Sequence, residues 1–405
     1  MNAAAHPGRL VFISNTVPID DIGSFVIFRR HLEPLVRQGW ELTVITDVPA
    51  PPPAQVFWQH IQLVRRRRWW PPVRQSFLPS VILRTHLQAQ ALKSLLPAKE
   101  TRTILLTNLW DDLSLLAVHY GRCRNWPLGV FLHDDEILWH GRDAPQSYLR
   151  WKRKIVCSAA NKIWSVSESL VEQLDDSVQP RCKILRPIPG VFSSPRAEWR
   201  TDFEKGPRIG YAGKTYGAFQ TFLLSLARLL QACGGTLNLL TDAENVRILH
   251  QSEPNLYAQP FLPTSAEASD WLNNNCSALL IAHPLSFAGV SRQWEILRTS
   301  FPSKLPEGAQ LGLPLILISA EDSTFGRWAR SKPDAPFFSR LDDPNLARYL
   351  ASLRERSTWE ASARWTRDLA AGEFSPQRIQ GAFEEDIGEL SRSAHSRPGL
   401  RETRD

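Results

Sequence analysis

Lys205-Gly-Pro-Arg-Ile-Gly-Tyr-Ala-Gly213 is where this chain begins a second time. The Gly-Pro pair ends what precedes it, and Arg208-Ile-Gly-Tyr-Ala212 then reads as a buried strand that leaves through Gly213. Upstream, Arg186-Pro-Ile-Pro-Gly190, Ser194 and Pro195 have the proline and glycine density of a linker. Downstream, an amphipathic helix over 219–232 stops at Gly234-Gly235, and strands are expected at 237–240, 278–282 and 315–318.

The first half shows the same alternation. Leu10-Val-Phe-Ile-Ser14 is a strand, and a loop with Asp20, Asp21, Gly23 and Ser24 opens a helix running to about residue 38. Gly39-Trp-Glu-Leu-Thr-Val-Ile-Thr46 restarts a strand, which completes a βαβ unit of the size a parallel sheet needs. Further strands are expected at 56–64, 103–107, 128–133 and 162–167, with helices at 113–122 and 168–174. At 405 residues the chain exceeds what one core usually supports. The fold class that follows is α/β, with two doubly wound domains and a ligand-collecting cleft between them. The expected boundaries are a first domain over 1–192, a linker over 193–206, a second domain over 207–374, a closing helix over 375–390 and a disordered tail over 391–405.

Composition narrows the class. Hydrophobic residues at 43% and charged residues at 22% exclude a disordered or fibrous chain. The five cysteines form no CxxC pair, so neither a disulfide framework nor a zinc ribbon is indicated, and a reducing cytoplasm fits them. No signal-peptide h-region precedes Arg9-Leu-Val-Phe-Ile13, and no apolar run is long enough to span a bilayer. The oddities are a net charge of +7 and fifteen tryptophans, with basic residues gathered in Arg65-Arg-Arg-Arg-Trp-Trp70 and Arg150-Trp-Lys-Arg-Lys154. Basic and aromatic residues together suit peripheral contact with an anionic membrane, here its inner face. The plainer reading is a solvated strand end and the basic face of a helix. Nucleic acid would be drawn by the same charges but is not the expected partner.

Phe301-Pro-Ser-Lys-Leu-Pro-Glu307 carries the chemistry. It reads as a loop and a short helix, with Ser303 as N-cap and Pro306 tolerated in a first turn whose N–H groups have no intrahelical partner. Gly312 ends the helix in the left-handed region and Pro314 blocks continuation. Ser303, Lys304 and Glu307 thus surround a helix N-terminus, which favours an anion such as a diphosphate. A carboxylate on the same turn can accept two hydrogen bonds from a vicinal diol such as a ribose. A diphosphate and a ribose on one turn suggest a nucleoside-diphosphate sugar.

With these parts placed, the chain resembles the nucleotide-sugar-dependent glycosyltransferases of GT-B architecture, most closely the retaining family 4 type. The resemblance rests on the strand-loop-helix containing Gly23, on Phe131-Leu-His-Asp134, on Ile163-Trp-Ser-Val-Ser-Glu-Ser169 and on the segment ending at Glu307. It implies that the first domain binds a glycan or lipid-linked acceptor and the second binds the donor. It also implies that His133 contacts the donor sugar, that Gly23 lies against the substrates and that Glu307 binds the ribose. Asp134, the second candidate catalytic residue, either orients the His133 imidazole or caps the next segment. No cofactor and no metal are expected. Two departures stand out. Thr299 occupies the place of the family's upstream glutamate near the donor sugar. Lys214 replaces the family's arginine after Gly213, and Phe219 replaces its lysine. Lys214 and Lys304 are then the cations left to neutralise a departing diphosphate. Three other readings stay open: a GT-B protein without catalysis, a nucleic-acid binder using Arg65 to Arg68, and a sugar-nucleotide epimerase of the same shape. For His133 the alternative is a strand-end histidine bonded to backbone. For Asp111 and Asp112, helix capping is the preferred reading.

Overall fold

Short apolar runs in this chain become strands buried on both faces, the state expected of parallel sheets covered by helices. The computed structural model describes residues 8–19, 23–63, 85–90, 92, 102–140, 144–190, 197–215, 217–249, 253–283 and 291–396. The chain divides into two units, Met1–Leu185 with Gln380–Asp405, and Arg186–Ile379.

Among the described residues the first unit has seven parallel strands: β1 (Arg9–Ile13), β2 (Glu41–Thr46), β3 (Gln59–Gln62), β4 (Thr103–Asn108), β5 (Leu128–Leu132), β6 (Lys162–Ser165) and β7 (Cys182–Ile184). Their order is β3-β2-β1-β4-β5-β6-β7. Leu10 sits between Leu42 and Ile104 in register, so β1 is central. The order reverses between β1 and β4, which places a crevice outside the carboxyl ends of those two strands. Gly129 in β5 has a packing reason: a Cβ there would collide with the indole of Trp164 on β6.

The second unit repeats the plan with β8 (Arg208–Ala212), β9 (Thr236–Thr241), β10 (Leu256–Pro260), β11 (Ala278–Ala282), β12 (Leu315–Ile318) and β13 (Phe337–Phe338). The order is β10-β9-β8-β11-β12-β13, reversing between β8 and β11. Period-two alternation divides these strands between two cores. Leu279, Ile281, Leu315 and Leu317 enter one, whereas Leu280, Ile316 and Ile318 enter the other.

Several expected boundaries move. β7 and β10 escape a search for apolar runs because they are short edge strands with mostly uncovered side chains, and β13 because it is only two residues long. The expected strand over 56–64 contracts to Gln59–Gln62. The expected linker over 193–206 is folded from residue 197 onward. Ala197 N–H donates to Leu311 O at 3.2 Å, and Thr201–Lys205 is a 3₁₀ turn that buries Phe203 against Trp199 and Trp359. Residues 191–196 lie outside the described set. The second unit already begins at Arg186, whose guanidinium lies 3.8 Å from the centre of the Phe301 ring. The closing helix runs Pro376–Ser396, so residues 391–396, expected to be disordered, are helical, and the rest of the expected tail lies outside the described residues.

From Gln380 onward that helix belongs to the first unit. Phe383 is fully buried against Phe131 and Trp164. Asp386 accepts from Trp164 Nε1 at 2.9 Å and is paired with Lys162 and Lys183. Burial alone would raise its pKa, but these three donors hold its carboxyl below the usual range.

Candidate functional site

Both topological switch points carry polar groups, and their chemistry differs. In the second unit the crevice lies at Gly213 after β8 and His283 after β11. The helix Lys304–Leu311 brings Lys304 there. Lys304 Nζ donates to the Tyr211 hydroxyl at 2.9 Å and sits 4.4 Å from the centre of that ring. Glycine at 213 is required for this: a Cβ would collide with Lys304 Nζ. Solvent reaches the Lys304 side chain, yet the protein surrounding its ammonium lowers its pKa to about 8 by desolvation. One turn on, Glu307 Oε2 accepts from Gly190 N at 3.4 Å. The loop after β8 is pinned by Thr215 and Thr241, whose hydroxyls lie 3.1 Å apart, and by Asn245 donating to Thr215 O.

The other expected residues of this unit fall as follows. Gly312 adopts φ 70°, the left-handed stop that the sequence requires. Ser303 occupies the N-cap position with helical dihedrals and makes no side-chain cap bond, contrary to expectation. An N-cap hydroxyl reaches back only from an extended backbone, and Ser303 lacks one. Lys214 is exposed, and its carbonyl accepts from the Tyr211 hydroxyl at 3.3 Å. Thr299 is buried and donates its hydroxyl to its own helix, at Glu295 O and Ile296 O.

His283 was not among the expected residues. It is buried, its Nδ1 has no hydrogen-bond partner, and its ring meets Phe325 edge-on at 5.4 Å. Burial first, and then the Lys304 charge, lower its pKa to about 4, so it is neutral at pH 7. The available signal was its place directly after the apolar run 278–282, the same place that His133 holds after β5.

In the first unit His133 is buried and neutral, with its pKa lowered to about 3 by burial. Its ring stacks on Phe28 at 4.7 Å, and its Nδ1 has no partner. Asp134 makes no hydrogen bond to it. The residue that caps the following helix Glu136–His140 is Asp135, which accepts from Ile137 N and Leu138 N. Asp134 is partly exposed, and burial with the neighbouring Asp135 and Glu136 charges raises its pKa to about 6. Behind His133 lies His31, fully buried, with neither ring nitrogen hydrogen-bonded and its pKa also lowered to about 3 by burial. Gly23 precedes the helix Ser24–Arg37 at φ 60°; a Cβ there would meet nothing, so the demand is on backbone conformation alone. Asp20 and Asp21 lie outside the described residues.

Asp111 does more than cap. Its Oδ1 accepts from Leu113 N at 2.8 Å, while its Oδ2 accepts from Asn15 N at 2.8 Å. It therefore ties the loop after β1 to the loop after β4 across the switch point. Burial raises its pKa to about 6 against these donors and the nearby Lys152.

The basic run 150–154 also changes meaning. Lys152 and Arg153 are buried. Arg153 makes a two-pronged bond to Glu136 at 2.8 and 2.9 Å and reaches Asp135 at 2.6 Å. Lys152 donates to Trp110 O at 3.5 Å. Only Arg150 and Lys154 of the four cations are exposed, so half of the charge of this run is internal. The run Arg65 to Trp70 lies outside the described residues. Among the described residues no helix is long and apolar enough to cross a membrane, and no group of three or more His, Cys, Asp or Glu could hold a metal ion.

No protein-family model matches the chain, and no curated protein matches it in sequence. Solved structures do match in fold. HepE of Anabaena in complex with UDP and glucose aligns over 95% of this chain and 100% of its own, with TM-score 0.63 at 12% identity. An α,α-trehalose-phosphate synthase (UDP-forming) from Burkholderia vietnamiensis aligns over 95% and 99%, with TM-score 0.60 at 13% identity. A putative UDP-N-acetylglucosamine 2-epimerase from Listeria monocytogenes aligns over 95% and 97%, with TM-score 0.52 at 10% identity. The chain has the α/β GT-B fold of two parallel sheets shared by these nucleotide-sugar proteins.

Proposed function

We propose that the protein is a glycosyltransferase that moves a hexose from a nucleoside-diphosphate sugar to a saccharide or lipid-linked acceptor, with retention, in glycan synthesis at the cytoplasmic face of a membrane. The observation that carries this reading is Lys304. Its ammonium is held by Tyr211 over Gly213 at the carboxyl end of β8, with Glu307 one turn further along. That is a seat for a diphosphate beside an acceptor for ribose hydroxyls.

In this reading the bond between the anomeric carbon and the diphosphate oxygen breaks, and the acceptor oxygen bonds to that carbon while losing its proton. The departing diphosphate takes the negative charge, and Lys304, at the positive end of its helix, stabilises it. Lys214, exposed on the loop, adds a point charge. Neutral His133 offers an uncharged ring nitrogen, Nε2, to a sugar hydroxyl, and Asp134, ionised above about pH 6, is the candidate proton acceptor. The first unit takes the acceptor and the second the donor.

Thermal-shift titration with UDP, GDP and their sugars tests the donor seat. The protein should be stabilised, and Glu307→Ala should lose most of the shift. A shift of the same size in that variant removes the assignment. The epimerase reading keeps a place because a putative 2-epimerase shares the fold. Incubation with the donor alone separates the two: conversion to an epimeric sugar without acceptor supports epimerisation, whereas transfer to added saccharide supports the transferase.

A further inference from the structure

Trp110 follows β4 and Trp139 lies on the helix that follows β5, so two indoles meet at the carboxyl edge of adjacent strands of the first sheet. Their ring centres are 5.9 Å apart at 58°, and His140 meets Trp110 edge-on at 4.5 Å. Trp139 is 46% exposed. An indole left in water at the mouth of a switch-point crevice forfeits burial that folding would otherwise gain, so its exposure needs a reason.

Trp110 is held in place by more than packing. Asn108 Oδ1 accepts from its backbone N–H at 3.4 Å, Lys152 donates to its carbonyl, and the next residue, Asp111, is anchored by Leu113 N–H and Asn15 N–H. Asp112 is fixed by the Tyr148 hydroxyl at 2.7 Å. The platform therefore stands ready before any ligand arrives, which lowers the ordering cost of binding.

Charge selects the ligand. Asp111 and Asp112 directly follow Trp110 and Asp134 lies five residues before Trp139, and all three are partly exposed. Asp135 and Glu136 are buried with Arg153 as their counterion, and Lys152 is buried beneath Trp110, so neither cation offsets the three exposed carboxylates at the surface. Aromatic faces rimmed by carboxylates repel an anionic lipid surface. They suit a pyranose, whose axial C–H groups carry slight positive charge toward the negative ring face and whose hydroxyls donate to carboxylates. We propose that Trp110 and Trp139 form a stacking platform for a neutral pyranose ring of the acceptor, which makes the acceptor a saccharide at this end. This rests on the transferase reading only for the word acceptor; binding itself does not depend on it.

Saturation-transfer NMR with maltose, lactose, cellobiose and methyl pyranosides tests it, alongside flotation with vesicles of phosphatidylcholine and phosphatidylglycerol. At least one saccharide should receive saturation from the wild-type protein. Trp139→Ala should weaken that binding roughly fivefold to tenfold, and Trp139→Phe should keep most of it. The UDP thermal shift should be the same in all three proteins. No saccharide binding by the wild type, equal binding by Trp139→Ala, or vesicle binding that Trp139→Ala abolishes would each overturn the platform. Saccharide binding without any response to UDP, GDP or their sugars would leave the platform standing and remove the transferase.

Discussion

The two sheets reverse strand order at the same place and differ in what they put there. At β4 and the neighbouring β5 the first edge presents partly exposed carboxylates and indoles, with Lys152 and Arg153 underneath. At β8 and β11 the second presents an ammonium, one carboxylate and a helix N-terminus, and each edge holds one uncharged imidazole, His133 after β5 and His283 after β11. In the functions proposed above, one plan yields an edge for hydroxyl-rich neutral ligands and another for a diphosphate. The lesson is that parallel topology fixes where ligands are met, while a few side chains on the loops decide which ligands they are.

The largest expected effect is on the positive edge. Lys304→Met removes the held ammonium and should weaken UDP binding by about thirtyfold to a hundredfold, as loss of a charge-assisted contact does. Calorimetric titration measures this, and a change under threefold would mean that the diphosphate sits elsewhere. In the core of the first unit, His31 stays neutral when folded but protonates near its ordinary value when unfolded. Below about pH 6.5 the unfolded chain binds the extra proton, so stability falls as pH falls toward about 3. Between pH 7.5 and 5 this one residue should cost about 2 kcal/mol. His31→Leu should flatten that loss in urea titrations at the two pH values, and parallel curves for both proteins would count against it.

Smaller again is the pH response of donor binding. With Lys304 titrating at about 8 in the free protein, UDP affinity should fall roughly tenfold by pH 9, because the deprotonated amine no longer attracts the diphosphate. Lys304→Arg should hold its affinity over that range; a matching decline would place the titrating group outside Lys304. The smallest expected effect is Thr299→Val, under threefold on UDP-sugar affinity, since that hydroxyl is bonded to its own helix. A tenfold loss would instead make Thr299 a sugar contact and sharpen the donor edge.

Most of the frame was legible because apolar runs such as Leu315-Ile-Leu-Ile318 bury both faces and read plainly. The edge strands were not: Cys182–Ile184 has its side chains largely in solvent, and a pattern search finds nothing to hold. At the candidate site, the place of Lys304 and Glu307 at the start of a helix is legible because Gly312 and Pro314 mark where that helix ends. Arg153 was misplaced because a basic residue reads as surface, and its partners Asp135 and Glu136 lie 18 and 17 residues away in sequence. Asp111 looked like a cap since one of its oxygens is one; the other reaches 96 residues back to Asn15, a distance no local pattern can see.

The grip on Asp386 has a consequence for biogenesis. Lys183 and its carboxylate are 203 residues apart, and the whole second unit is synthesised between them. A nascent first unit therefore emerges with Trp164 and two lysines waiting for a helix that the ribosome has yet to make. Its own last piece arrives after its neighbour is complete, so the earlier-translated unit is the later one to be finished.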